Sequence, residues 1–147
     1  MADMADLAKT TSLCEAEGAE VLPLRVDVSS EEDTLAMARQ THERYGRIDG
    51  LLNNAGITPW PGLEAKSVMD VDMDMWNRVF AVNTRGTFLG IRTVYSYMRE
   101  QGSGTIVNVS SGSTQRISRA PDAINAQSVA SKSAITGITR AVARELP

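Results

Sequence analysis

Gly50-Leu51-Leu52-Asn53-Asn54-Ala55-Gly56 is the stretch on which the reading of this chain turns. Gly50-Leu51-Leu52 is a short apolar run without helical spacing, and it stops on two amides, a small residue and a glycine. That order suits a buried parallel strand whose carboxyl end opens onto a ligand. The amides can hold neighbouring backbone, and Ala55-Gly56 leave room for a flat group close to the main chain. Taken alone, Asn-Asn-Ala-Gly is equally readable as a plain turn. The segments on either side, and their order, decide between the two.

Upstream, residues 4–18 carry Met4, Leu7, Thr11 and Cys14 at helical spacing, with Gly18 as a natural stop. Asp3 stands just before this helix, where an N-cap would stand. Cys14 reads as a core residue on the inner stripe rather than a reactive thiol. Residues 21–28 read as a strand ending at Asp27-Val28, and Pro23 pushes it towards a sheet edge because it cannot donate a ladder hydrogen bond. Ser29-Ser30-Glu31-Glu32-Asp33 supplies a hydroxyl cap and an acidic first turn for a helix running to Tyr45. Its inner stripe is Thr34, Met37, Ala38, Thr41 and Tyr45. His42 borders that stripe and reads as structural, because no second His or Cys exists to share a metal.

Downstream, Pro59, Trp60, Pro61 and Gly62 mark a loop on the carboxyl side of the central strand. Trp60 either lines a substrate cleft or seals a small surface cluster. A long helix is expected from near Asp72 to about Glu100, with Trp76, Val79, Phe80, Asn83, Phe88, Ile91, Val94 and Met98 on its apolar face. Asn83 is the odd member: an amide in an apolar stripe needs partners. Gly86 and Gly90, one turn apart, permit close backbone approach. Residues 105–109 are a β-branched strand ending on Ser110-Ser111-Gly112. A polar, irregular stretch with Arg116, Arg119 and Pro121 follows. A last helix covers roughly 126–145, crowded with small residues in its first half.

Alternating helices and strands imply a parallel sheet with helices on both faces, an α/β, Rossmann-like doubly wound arrangement. Ligands of such sheets bind beyond the carboxyl ends of the strands. Asp27, Asn54 and Ser111 all fall at such ends, so they are expected to share one rim.

The totals exclude several functions. A net charge of −3, with both signs scattered, offers no electrostatic footprint for nucleic acid or an anionic membrane. One cysteine and one histidine leave no intrachain disulfide and argue against a Cys/His metal site. A reducing, cytoplasmic setting fits that cysteine usage. No apolar run approaches the length of a membrane span, and the acidic first residues are unlike a secretory signal. With 42% hydrophobic and 22% charged residues over 147, the composition is that of one ordinary globular domain.

With these segments in order, the chain resembles the short-chain dehydrogenase/reductase family. Asp27-Val28 resembles its adenine contact, and Asn53-Asn54-Ala55-Gly56 its central-sheet motif. Asn83, in Val82-Asn83-Thr84, resembles the helix asparagine of its proton relay. Ile106-Val107-Asn108-Val109-Ser110-Ser111 resembles the strand that delivers the catalytic serine, Ser111. Ala130-Ser131-Lys132 resembles the tail of its Tyr-x-x-x-Lys motif. The resemblance implies hydride transfer between a nicotinamide and a carbonyl or alcohol carbon. A tyrosine hydroxyl would carry the proton, and Lys132 would lower its pKa and hold the nicotinamide ribose. It places Asn54, Ala55 and Gly56 at the cofactor. Asp3 stands like the acidic residue that binds the adenosine ribose, which favours NAD over NADP. It also implies homo-oligomers formed through the helices near 72–100 and 126–145, with the faces of Gly86/Gly90 and Ala130/Gly137 as candidates.

Two departures qualify the expectation. No glycine precedes Gly18, so the family's glycine-rich phosphate turn is missing. The chain therefore reads as a single partial domain, 1–147, cut at both ends, with no strand ahead of Asp3. Ser128, not a tyrosine, stands four residues before Lys132, and no tyrosine follows Tyr97. An aliphatic hydroxyl is a far weaker acid than a phenol and reaches less far. Lys132 alone is also readable as an ordinary solvated helix lysine. The expected function is an NAD(P)-linked oxidoreductase whose isolated chain is inactive. The alternatives are a non-catalytic relative that binds cofactor or assists assembly, and a functionless fragment.

Overall fold

The computed structural model describes residues 2–3, 7–58, 67–114 and 125–145. Within them run β1 (Ala2–Asp3), α1 (Ala8–Ala16), β2 (Leu24–Arg25), α2 (Glu31–Tyr45), β3 (Gly50–Asn53), α3 (Met73–Phe80), α4 (Gly86–Gln101), β4 (Thr105–Asn108) and α5 (Ala126–Val142). β1 pairs parallel with β2, and β3 pairs parallel with β4 in the register Gly50↔Thr105 to Asn53↔Asn108. These are two separate two-stranded sheets. Parallel strands joined by crossover helices make this a partial Rossmann-like α/β fold.

The second pair of strands carries the core. Successive residues of a strand face opposite ways, so Leu51 and Ile106 point to the side covered by α4. There they pack on Ala38, Ile48, Val94 and Met98, with Tyr97 alongside. Leu52 and Val107 point the other way and are 64% and 50% exposed. The Gln101 side chain accepts from the Ile48 N–H at 2.9 Å and donates to the Ile48 carbonyl at 3.0 Å, fixing the end of α4 to the entrance of β3.

The α2 helix begins as its sequence predicts. Ser30 Oγ accepts from the Asp33 N–H at 3.2 Å, three acidic residues fill the first turn, and Gly46 closes the helix with φ +73°. Thr34 and Ala38 are buried, but Tyr45 is 37% exposed and drops out of the expected stripe. His42 packs against Tyr97 with ring centroids 4.8 Å apart and the rings tilted by 33°, a structural role.

Three expectations are corrected. First, the helix expected over 4–18 spans Ala8–Ala16, and a strand precedes it: Asp3 ends β1, its backbone opposite Arg25. Leu7, not Asp3, occupies the N-cap position, and no side chain caps it. No residue of α1 is buried, so Cys14 is half-buried rather than core. Second, the strand expected over 21–28 pairs along Leu24–Arg25 alone. Third, the helix expected over 72–100 is interrupted by a π-helical turn, Ala81–Arg85, which contains Asn83. Phe88 leaves the buried face and is 46% exposed. Trp60 and the stretch holding Arg116, Arg119 and Pro121 lie outside the described residues.

Candidate functional site

Asn83 is the hub. It is fully buried, and its amide has three partners. Its Oδ1 accepts from the Ile57 N–H at 2.8 Å, and its Nδ2 donates to the Ile57 carbonyl and to Ser131 Oγ, each at 3.0 Å. One side chain thus ties the segment after β3 to α5. Next to it, Thr84 Oγ1 donates to the Ser131 carbonyl at 3.1 Å, and Thr87 Oγ1 donates to the Asn83 carbonyl at 2.7 Å. The π-turn sits where these bonds concentrate. An extra residue per turn redirects side chains and is common at functional sites.

The two strand ends are joined by a second amide pair. Asn53 Nδ2 donates to Asn108 Oδ1 at 2.8 Å, and Asn108 Nδ2 donates to Thr139 Oγ1 on α5 at 2.9 Å. Asn53 lies against α4 so closely that a Cβ on Gly90 would fall 2.4 Å from its Oδ1. A Cβ on Gly86 would fall 2.9 Å from Val28 Cγ2. Both glycines therefore face inward. They admit Asn53 and Val28, and they are not the face by which subunits would meet.

Lys132 reaches from α5 to the strand ends. Its Nζ donates to the Val109 carbonyl at 2.8 Å. A Cβ on Gly56 would fall 3.1 Å from that Nζ and 3.2 Å from Asn83 Oδ1. So Gly56, Asn83 and Lys132 meet at one point, and Lys132 is not a solvated helix lysine. Burial lowers its pKa below the ordinary lysine value, because desolvation penalises the charged form. Ser110 Oγ donates to the Lys132 carbonyl at 2.8 Å, holding the same turn of α5 against β4.

Beside this junction lies a cavity of about 460 Å³. Asp27, Val28, Asn54, Ala55 and Gly56 line it, together with Arg78 from α3. Asp27 Oδ1 accepts from both the Ser29 N–H at 2.9 Å and Ser29 Oγ at 2.7 Å. Those two bonds, the hydroxyl one first, hold its carboxyl below the usual carboxylate value, and the Arg78 charge adds to them. Ser111 is placed differently. It follows β4 at the same end of the sheet, but it is exposed and does not line this cavity. Of the three residues expected on one rim, Asp27 and Asn54 therefore line this cavity, and Ser111 lies at the same end of the sheet without lining it. Ser128 is half-buried in the first turn of α5, and its carbonyl accepts from Ser131 Oγ at 3.0 Å.

Sequence reasoning missed Arg78 and Ser131. Arg78 stands four residues before Val82, another lining residue, so helical spacing from the Val82-Asn83 pair was the available signal. Ser131 had none: its hydroxyl matters through a contact 48 residues away.

A profile described as "short chain dehydrogenase" matches residues 2–147. The chain belongs to the short-chain dehydrogenase family. It is 45% identical over 91 residues to 2-(R)-hydroxypropyl-CoM dehydrogenase of Xanthobacter autotrophicus, covering 62% of this chain and 36% of that protein. It is 42% identical over 106 residues to levodione reductase of Leifsonia aquatica, covering 72% and 38%. Among solved structures, levodione reductase superposes with a TM-score of 0.83 at 35% identity, over 98% of this chain and 54% of that one. A short-chain dehydrogenase/reductase from Burkholderia phymatum in complex with NAD superposes with a TM-score of 0.85 at 30% identity, over 99% and 50%. The chain thus spans between a third and a half of the length of the curated relatives it matches. Among the described residues no helix is long and apolar enough to cross a membrane, and no cluster of His, Cys, Asp and Glu suits a metal ion.

Proposed function

We propose that this chain forms the nucleotide-gripping centre of an NAD-linked oxidoreductase acting on a small carbonyl or alcohol substrate. The observation that carries the reading is the position of Lys132 Nζ, bonded to the carbonyl at the end of β4 and pressed against Gly56 beyond the end of β3. The residues present fit the cofactor. The cavity is in the size range of small-molecule sites, Asp27 offers it a carboxylate, and Gly56 has no side chain to fill the space beside the ammonium.

Asp27, Val28, Asn54, Ala55 and Gly56 would hold the nucleotide, and Asp3, at the end of β1, supports NAD over NADP. The nicotinamide supplies or accepts the hydride. Lys132 spends one N–H on Val109 and keeps two for a ligand. Its charge makes a neighbouring hydroxyl more acidic. Asn83 holds the Ile57 backbone and Ser131 in place around that ammonium. Ser111, exposed at the end of β4, would meet the substrate oxygen. The proton-carrying position falls to Ser128, a weak acid, so the chain by itself is expected to bind cofactor with no appreciable turnover. A cytoplasmic location goes with this reading, supported by the single cysteine. So does a homo-oligomer, supported by the exposed Phe88 beside Phe80, Ala81 and Ile138 on the outer surface of α3, α4 and α5.

Ser128 is also the observation that favours a second reading, a non-catalytic cofactor-binding relative. NADH titration of the purified chain followed by a carbonyl panel tests both. Binding without turnover, and turnover gained in Ser128→Tyr, supports the first. Binding with no gain in Ser128→Tyr supports the second. Ordinary turnover with Ser128 in place overturns its assignment, and absence of binding overturns the cofactor site.

A further inference from the structure

We propose that Arg78 is a base-binding residue of the nucleotide cavity, its guanidinium lying against the flat face of the ligand's adenine while Asp27 meets the amino-bearing edge. The inference rests on the cofactor reading above and extends it to a residue that reading does not use.

Arg78 sits on α3 and lines the cavity together with Asp27. The four ion pairs among the described residues are made by Arg39, Arg44, Arg47 and Arg92, and Arg78 enters none of them. It is an exposed cation on a cavity whose other lining residues are mostly apolar, Val26, Val28, Ile57, Ala81 and Val82 among them, with Ser29 and Asn54 as the polar ones besides Asp27. Those walls suit a flat, uncharged ring. A phosphate is the alternative partner for an arginine, but here it would meet the Asp27 carboxylate in the same space, and like charges repel. A neutral heteroaromatic with an exocyclic amino group satisfies both charged residues. The amino group donates to the carboxylate, and the π face accepts the guanidinium. Guanidinium is planar and weakly hydrated, so it stacks on aromatic faces better than an ammonium does.

The test is an NMR titration of the purified chain with adenosine and with AMP, in the wild type, Arg78→Met and Arg78→Lys. Arg85→Met, a charge removal on the neighbouring turn outside this cavity, is the control. Arg78→Met is expected to weaken adenosine and AMP by the same factor, roughly three- to ten-fold. Arg78→Lys is expected to recover only part of the loss, and Arg85→Met to change neither ligand. Arg78 is exposed, and thermal melts confirm folding of each variant. Unchanged adenosine affinity in Arg78→Met overturns the proposal, as does a loss confined to AMP, which would assign the guanidinium to phosphate. A wild type that binds neither ligand overturns the cofactor site itself, a failure distinct from the other two.

Discussion

The unit built from β1, α1 and β2 and the unit built from β3, α4 and β4 share a topology but not a construction. In the second, each strand pairs over four residues, and α4 buries Leu89, Ile91, Val94 and Met98. In the first, the strands pair over two residues, and α1 buries nothing. What hangs the first unit on the second is one strand end: Val26 is 3% exposed, and Val28 fits against Gly86. The cavity proposed to hold the nucleotide lies along that seam, with Val26 to Ser29 on one side and Asn54 to Ile57, Arg78 and Val82 on the other. Among the described residues, one wall is built on a buried helix face and the other on a helix that buries none of its residues. Local stability follows buried contact, so a ligand spanning the seam should tighten the β1–α1–β2 unit most.

The largest effect should come from the side built on the buried helix face. Asn83→Ala removes three hydrogen bonds, leaving the half-buried Ile57 N–H and carbonyl without these partners and the buried Ser131 hydroxyl with only its bond to the Ser128 carbonyl. It is expected to destabilise the chain by about 3 kcal/mol, read as a shift of the urea midpoint. A loss below about 0.5 kcal/mol would mean that the amide is not the tie between β3 and α5.

The glycines of α4 and α5 sharpen the contrast through opposite signs. Alanine normally improves a helix over glycine by about 1 kcal/mol. At Gly137 a Cβ meets nothing within 4 Å, so Gly137→Ala should stabilise by about that amount. At Gly90 the Cβ would overlap Asn53, whose amide is already committed to Asn108 and the Thr87 carbonyl. Gly90→Ala should therefore cost about 2 kcal/mol net in the same urea measurement.

Acid probes the seam more gently. The Ser29 bonds hold the Asp27 carboxyl below its usual value. A depressed carboxyl contributes stability that is fully present above its unfolded value and is lost as pH falls through its folded one. The stability gap between wild type and Asp27→Asn should be constant near neutrality. It should close as pH falls below about 4. A gap that stays open in acid would show that the Ser29 contacts do not depend on the charge.

The same contrast explains what was legible in the sequence. The strands at 50 and 105 and the start of α2 were legible because local signals specify them: an apolar run stopping on amides, β-branching, and a serine cap with an acidic first turn. Asn83 was flagged because an amide in an apolar stripe demands partners. The π-turn around it was not, since its bonds run to Ile57 and Ser131, 26 and 48 residues away, and periodicity sees only neighbours. Residues 4–18 misled for the opposite reason. A helical spacing of Met4, Leu7, Thr11 and Cys14 predicts an inner face only if something lies beneath it, and α1 has little beneath. Strand ends show which edge of the sheet a residue lies on but not which cavity it lines: Asp27 and Asn54 line this one and Ser111 does not.

The smallest expected effect is the one most able to break the comparison. Leu13, on α1, is 59% exposed. If α1 rests on the rest of the chain as loosely as its exposure indicates, Leu13→Ser removes little buried surface. Stability should then stay within about 0.5 kcal/mol of wild type. Val94→Ala, at a site 2% exposed in α4, serves as the counterpart and should cost about 2 kcal/mol by opening a cavity under Ile48 and Met98. Equal losses in the two variants would show that α1 covers apolar surface in solution. In that case the seam is as firmly built as the core, and a bound nucleotide would have no loose wall to tighten. Hydrogen exchange of the α1 amides with and without NADH reads that last point directly, because slowed exchange confined to α1 and β2 requires the wall to be loose beforehand.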